Sequence, residues 1–274
     1  MQLLRRVSVH CRRVKLLFNE KVSEKHFRLG FDCEEIAREA RPGQFLMVRL
    51  MEPSWEYLLS RPFSFCMVQG SRIELLFEVV GKGTRRLSQA REGASLEILG
   101  PVGKGFDLSG EFEAILVGGG MGIAPLPFLA SELARMFRPE DIAVLLGAKT
   151  TAALCLEERF VSLGTTVRIS TDDGSRGHKG PVTDLLAEEL KSRRNRPLTV
   201  YACGPKPMLK TVSRLAQNYG VASQVSVEER MACGVGACMS CACKVRDKDG
   251  TERFRTVCVD GPVFSGAELV FDED

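Results

Sequence analysis

Apolar and polar residues follow one rhythm in the first part of this chain and another in the middle, with the change near residue 110. Up to about Leu108, short runs alternate every second residue: "RRVSVHC", "QFLMVRL", "FSFCMV", "RIELLFEVV" and "ASLEILG". Turn-forming "RPG", "GKG" and "GPVGKG" separate them. That texture predicts an antiparallel sheet or barrel. Over residues 114–220, strand-like runs take turns with helical ones. "AILVGG", "IAVLLGA", "TVRISTDDG" and "LTVYACG" read as strands. "PLPFLASELARMF", "LCLEERFVSL", "VTDLLAEELKSR" and "KPMLKTVSRLAQNYG" read as helices, the last closed by glycine. This is the rhythm of an open parallel sheet covered on both faces. After Val221 the chain turns cysteine- and glycine-rich with little periodicity, so something other than a large core must hold it.

These textures predict an α+β multidomain protein in three parts: an antiparallel β-barrel at residues 1–108, a Rossmann-like α/β domain at 109–222, and a small C-terminal domain at 223–274. No internal repeat or low-complexity tract interrupts them.

Composition narrows the function classes. The chain has 274 residues, 44% of them hydrophobic and 27% charged, with a formal net charge of +3. That bias is too weak to suggest nucleic acid or an anionic membrane surface. "KSRRNR" at residues 191–196 reads as the solvated end of a helix, where cations complement the macrodipole. The longest uncharged run, "AILVGGGMGIAPLPFLAS", holds four glycines and two prolines, and reads as strand, turn and helix start rather than a membrane span. The N-terminal "MQLLRRVSVHCRRVK" lacks the apolar core and cleavage site of a signal peptide. A cytoplasmic location is therefore expected, where clustered thiols bind metal or do redox chemistry more often than they form disulfides.

The ten cysteines are unevenly placed. Cys11, Cys33, Cys66 and Cys155 are isolated and read as small apolar packing groups. Cys233, Cys238 and Cys241 have the C-x4-C-x2-C spacing of plant-type iron–sulfur proteins, with Cys258 as the later fourth ligand. The intervening "GVGA" is small enough for backbone N–H groups to reach cluster sulfides. Thiolates suit zinc as well, but structural zinc usually takes two C-x2-C pairs, and no second pair surrounds Cys258. Cys243 is the spare, able to compete as a ligand, although the spacing from Cys238 favours Cys241.

Four further segments carry candidate chemistry. "VGGGMGIAP" follows a predicted strand and opens a helix, where free N–H groups and close backbone approach suit a pyrophosphate. Pro125 stands where the dinucleotide fingerprint has its last glycine and fits a first helical turn. A plain glycine turn in a parallel sheet is the competing reading. "YACGPKPML" ends the fourth predicted strand about 80 residues later, so Cys203, Gly204 and Pro205 face the crevice at the carboxyl ends of the strands. In the barrel region, "RPFSF" offers an arginine for phosphate and a serine hydroxyl for a ring nitrogen. Gly81-Lys82-Gly83-Thr84 forms a turn whose N–H groups suit a phosphate. Each of these two is equally readable as an ordinary hairpin turn.

Taken in order, R-P-x-S, G-x-G-T, G-x-G-x-x-P and C-G-P resemble the ferredoxin–NADP reductase superfamily over residues 1–220. The resemblance implies an FAD-holding barrel and an NAD-binding α/β domain. It implies that Arg61, beside Pro62 and Phe63, meets the flavin pyrophosphate and that Ser64 lies near the flavin N5. Gly83 and Thr84 would hold the pyrophosphate, and Leu76, Phe77 and Glu78 would line the flavin. Gly120 and Gly122 would face the nicotinamide cofactor, with Cys203 near its reactive ring, ahead of Gly204 and Pro205.

The block "ERMACGVGACMSCACKV" followed by "VCVDGPVF", with "STDDGS" upstream, resembles the electron-transfer subunits of type B, NAD-dependent dihydroorotate dehydrogenases over nearly the whole chain. That resemblance implies a 2Fe-2S cluster on Cys233, Cys238, Cys241 and Cys258, with FAD as cofactor and NAD as substrate. It implies an FMN-containing dihydroorotate dehydrogenase catalytic subunit as partner, two copies of each chain, and electron flow from FMN through the cluster and FAD to NAD+. NAD rather than NADP rests on the resemblance, since Lys149 and the threonines of "GAKTTAAL" can accept a 2′-phosphate. Nothing resembles an acid–base catalyst for a pyrimidine; His10, His26 and His178 read as surface or turn residues. Two other readings stay open: a different NAD(P)H-linked flavin and iron–sulfur oxidoreductase, working with ferredoxin or a sulfur compound, and a zinc-stapled, non-enzymatic binding module.

Overall fold

In the computed structural model, residues 9–51, 59–109, 113–193, 197–247 and 249–271 are described. The start of "RRVSVHC", the signal-peptide reading of the first residues and the end of "KSRRNR" lie outside them.

The period-2 region closes into a barrel. Its strands are β1 (His10–Lys21), β2 (His26–Asp32), β3 (Phe45–Leu50), β4 (Arg61–Gln69), β5 (Arg72–Glu78) and β6 (Ser95–Val102), ordered β1-β2-β5-β4-β3-β6. Every neighbouring pair is antiparallel, and β1 against β6 closes the ring. Alternation sends Leu46, Val48, Phe65, Leu75, Phe77, Leu96 and Ile98 inward, where they pack into one apolar cluster. The short helix α1 (Glu34–Glu39) adds Ile36 and Ala37 to that cluster. The "GKGTRRLS" segment is not a bare turn: it winds into α2 (Lys82–Ser88).

The middle region forms β7 (Glu113–Gly119), α3 (Leu126–Met136), β8 (Ile142–Ala148), α4 (Glu157–Val161), β9 (Thr166–Thr171), β10 (His178–Lys179), α5 (Val182–Ser192), β11 (Leu198–Cys203), α6 (Lys206–Asn218) and β12 (Ala222–Ser226). The hairpin β13 (Ala242–Arg246) and β14 (Glu252–Thr256) follows, and β15 (Val263–Ser265) ends the series. The sheet order is β10-β9-β8-β7-β11-β12-β15, parallel except for β15 against β12. Helices cover both faces, which is why the central strands read as unbroken apolar runs. Ile115, Val117, Val200 and Ala202 pack under α5 and α6. Ala114, Leu116, Val144 and Tyr201 pack under α3.

The sheet crosses the line between residues 222 and 223: β12 straddles it, and β15 returns from beyond the cysteine segment. Polar contacts tie the barrel side to the sheet. Gln224 accepts from the Asp107 amide (2.8 Å) and donates to its carbonyl (2.7 Å), and Tyr201 donates to the same carbonyl (3.2 Å). On the far side, Arg159 of α4 reaches Glu74 of β5 at 2.7 Å, and Arg28 of β2 reaches the same carboxylate at 3.2 Å. Among the described residues no helix is long and apolar enough to cross a membrane.

Candidate functional site

The barrel contributes a two-faced strand pair. On β4, Phe63 packs with the barrel interior, whereas Cys66 packs with the cluster beneath α3. On β5, Leu76 joins that outer cluster and Phe77 points inward at 1% exposure. Phe77 stacks on Phe27 (5.8 Å) and tilts against Phe63 (5.6 Å). Pro62 and Ser64 on β4, with Leu76 and Glu78 on β5, therefore face away from the interior, while Phe63 and Phe77 serve the core.

Arg61 lies against the start of α2. A Cβ at residue 83 would collide with its guanidinium, so glycine lets the cation lie along the turn; Arg61 also donates to the Leu59 carbonyl at 2.9 Å. Thr84 is 7% exposed, and its hydroxyl accepts from the amides of Val80 (3.0 Å) and Gly81 (3.1 Å). Its side chain thus closes the turn rather than facing outward. An arginine held beside a glycine turn is a fit for the pyrophosphate of FAD.

On the α/β side the two glycine motifs interlock. Parallel pairing sets Gly118 of β7 opposite Cys203 of β11, and Cys203 opposite Ser226 of β12. A Cβ at Gly122 would run into the carbonyl of Cys203. One at Gly119 would lie 2.5 Å from the Met208 sulfur, and one at Gly204 the same distance from the Met208 methyl. Gly120 differs: its φ is +53° and nothing lies within 4 Å of where a Cβ would stand. That open backbone at the carboxyl ends of the strands fits a dinucleotide. Pro125 sits immediately before α3, as its missing N–H requires, and Pro205 stands in the same place before α6. Burial pushes the Cys203 thiol up to about 12, against the pull of the Ser226 hydroxyl. It stays a protonated thiol at neutral pH and is no nucleophile there.

The cysteines fall into two pairs. Cys241 and Cys258, 2% and 3% exposed, bring their sulfurs to 3.4 Å. Cys238 is exposed, and hydrogen bonds from Ser240 and then from Cys233 hold its thiol down at about 6. The Val235 amide points at the Cys233 sulfur (3.4 Å) and the Gly236 amide at the Cys258 sulfur (3.2 Å). Gly234 and Gly236 make this wrapping possible at φ of +71° and +80°, where a side chain is strained. Among the described residues no three Cys, His or acidic groups converge on a single-ion geometry. Two thiol pairs with amides aimed at sulfur fit a two-iron cluster. Cys243 lies on β13 opposite Arg255, 9% exposed within an apolar cluster, and burial raises its thiol to about 11.

One apolar cluster joins the cysteine loop to the barrel and the sheet. Cys241 and Cys258 share an apolar cluster with Phe45 and Met47 of β3 and with Val117 and Val200 of the α/β sheet. Phe45 pairs with Ser64 and Met47 with Pro62.

Sequence reasoning missed His26, which is not at the surface: it is 8% exposed on β2, opposite Glu78, with Nδ1 2.7 Å from the Ser23 hydroxyl. Its place opposite β5 exists only once the barrel closes. Cys11, expected to be packed away, is exposed.

A closed antiparallel barrel joined to a parallel sheet and a cysteine-rich loop defines a reductase of the ferredoxin reductase type with an iron–sulfur domain. The oxidoreductase NAD-binding domain family matches residues 116–214, and the iron–sulfur cluster binding domain of dihydroorotate dehydrogenase B matches residues 228–270. Among solved structures, a chain of an NADH-dependent reduced ferredoxin–NADP oxidoreductase is 31% identical, with a TM-score of 0.80, covering 94% of this chain and 89% of that one. A ferredoxin NADP+ reductase from Neisseria gonorrhoeae, with bound FAD and NADP, shares the fold at 14% identity and a TM-score of 0.62, covering 80% of this chain and 94% of that one. The dihydroorotate dehydrogenase B (NAD(+)) electron transfer subunit of Desulforamulus reducens is 40% identical over 94% of this chain and 97% of its own length. That of Caldanaerobacter subterraneus subsp. tengcongensis is 38% identical over 94% and 98%. The chain belongs to the family of dihydroorotate dehydrogenase B electron transfer subunits.

Proposed function

We propose that this chain is the electron-transfer half of an NAD-dependent dihydroorotate dehydrogenase in pyrimidine biosynthesis, passing electrons from the FMN of a catalytic partner to NAD+. The observation that carries this reading is the apolar cluster that groups Cys241 and Cys258 with Phe45 and Met47 of β3, the strand paired with Pro62 and Ser64. When bound, FAD exchanges hydride with the nicotinamide and single electrons with the 2Fe-2S cluster, and the chain supplies distance, orientation and potential.

Within that reading the residues divide as follows. Cys233 and Cys238 hold one iron, Cys241 and Cys258 the other. Arg61 and the backbone at Gly83 bind the flavin pyrophosphate, while Pro62, Ser64, Leu76 and Glu78 present the face that receives the ring. Gly120, Gly122, Gly204 and Pro205 shape the nicotinamide crevice, with the neutral Cys203 thiol at its floor. Phe63, Phe77 and Thr84 support these groups from behind. The partner is the FMN-containing catalytic subunit, in a complex with two copies of each chain in the cytoplasm. Residues 1–108, 109–222 and 223–274 act as the FAD, NAD and cluster segments, although the sheet laces the last two together.

The test is to assay dihydroorotate:NAD+ activity of the purified chain alone and after mixing with the FMN subunit. Activity is expected only in the mixture, with flavin and iron–sulfur absorption in the chain itself. Dihydroorotate oxidation by the chain alone, or a colourless chain containing zinc, contradicts the reading. A second reading, transfer between NAD(P)H and ferredoxin, is favoured by the 31% identical ferredoxin–NADP oxidoreductase chain. Turnover with ferredoxin and none with the FMN subunit selects it.

A further inference from the structure

Met47 belongs to none of the motifs, yet it touches both halves of the electron path. It is 2% exposed on β3, directly opposite Pro62 of β4. Its strand neighbour on the same face, Phe45, lies opposite Ser64. Paired residues of antiparallel strands project to the same side, so Met47 stands on the face that carries Pro62 and Ser64. From there it reaches the cysteine loop: it shares an apolar cluster with Cys241 and Cys258. Its side chain also fills the space beside Gly234, the residue after Cys233. A Cβ at Gly234 would collide with Met47 Cγ and lie 3.0 Å from its sulfur.

Local backbone supports that reach. The β3–β6 register shifts between Phe45, opposite Val102, and Met47, opposite Leu99. A bulge of this kind re-aims the side chains beside it. On the loop side, Gly234 has a φ of +71°, which only glycine adopts without strain. The bulge and the glycine turn meet at the methionine. An unbranched thioether suits this junction because it fills an irregular gap between two surfaces that have no regular pairing.

We propose that Met47 is the positioning residue that sets the gap between the cluster loop and the flavin face of the barrel, and with it the rate of electron passage between them. This rests on the proposed function above. Met47 neither gains nor loses an electron; it keeps the loop seated and the intervening space filled. Electron tunnelling weakens steeply with added distance and with voids, so a truncated side chain slows that step and leaves the nicotinamide side untouched.

The experiment is rapid mixing of the purified, FAD- and cluster-loaded chain with NADH, following flavin bleaching and the cluster's visible band separately. In M47A, flavin reduction is expected at the wild-type rate, while cluster reduction slows by about tenfold, because small displacements are costly for a positioned reaction. M47L, which conserves volume, is expected within about twofold of wild type on both signals. The cluster's circular dichroism and midpoint potential are recorded for each variant; unchanged potential with slowed transfer marks a lost path rather than an altered driving force. If M47A fails to retain cluster, M47V carries the same comparison. Cluster reduction in M47A or M47V as fast as in wild type overturns the role of Met47. A wild-type chain whose flavin is bleached by NADH while its cluster stays oxidised overturns instead the electron-transfer reading on which it rests.

Discussion

The glycine turns of the α/β sheet and the cysteine loop solve the same problem by different means. Both bring together residues far apart in sequence. In the sheet, register does it: the β7–β11 ladder sets Gly118 opposite Cys203, which brings the turns beyond the two strands together. The cysteine loop has almost no ladder. It is seated by two left-handed glycines, amides aimed at sulfur, and contacts such as Gly236 on Val259 and Gly234 on Met47. The sheet site is built by folding, whereas the loop, with little regular structure of its own, would depend on the cluster it is proposed to hold. Metal-site binding energy is folding energy in such a segment.

Breaking the cluster therefore gives the largest effect. C241A is expected to abolish the visible cluster absorption, while C243A leaves it intact, because Cys243 belongs to β13 and its apolar packing. The reverse result would reassign the third ligand from Cys241 to Cys243. Hydrogen exchange sharpens the contrast: chelating the iron should expose amides in residues 231–241 and leave β7 and β11 protected.

In the sheet, G122A should cost about 1–3 kcal/mol in urea unfolding, the usual effect of overpacking, and weaken NADH binding, since the methyl meets the Cys203 carbonyl. An undiminished affinity would show that the two motifs do not act as one site.

A smaller effect is expected at the mooring between barrel and sheet. Glu74 and Arg159 have side-chain exposures of 13% and 20%, and E74Q leaves Arg28 and Arg159 side by side without their carboxylate. About 1 kcal/mol of stability should go, read by thermal unfolding, with cluster absorption unchanged.

The smallest effect at neutral pH is an alkaline one. Burial pushes the Cys66 thiol to about 12, Cys155 to about 11, Cys203 to about 12 and the Tyr201 phenol to about 12. The unfolded chain loses these protons first, so it binds fewer of them than the folded one, and stability falls with rising pH. The loss should begin near pH 9, where an unfolded thiol titrates, and run to about 12, with these groups leaving stability level below pH 9. Unfolding free energies that stay level across that window would show these groups to be wetter than their surroundings imply.

Periodicity made most of the barrel and the four main parallel strands legible because each run repeats one rule, although β2 lay outside the alternating runs. It could not show α1 or β15, which are six and three residues long and form on surfaces made by other elements. It read β12 as the start of an irregular tail, because "ASQVS" becomes a strand only beside β11. The cysteine spacing singled out a candidate ligand set, since chain connectivity limits which sulfurs can share one cluster. It did not show that Phe63 and Phe77 face the barrel core, nor that Thr84 closes its own turn.

Local sequence alone determined the strand and helix periods, the glycine turns and the spacing of the cysteines, because these depend on residues close along the chain. Only the tertiary structure decided that Met47, Pro62 and Cys241 belong to one region. Barrel closure, strand register and the seat of a ladderless loop are relations between distant segments, and no local pattern encodes the distance between them.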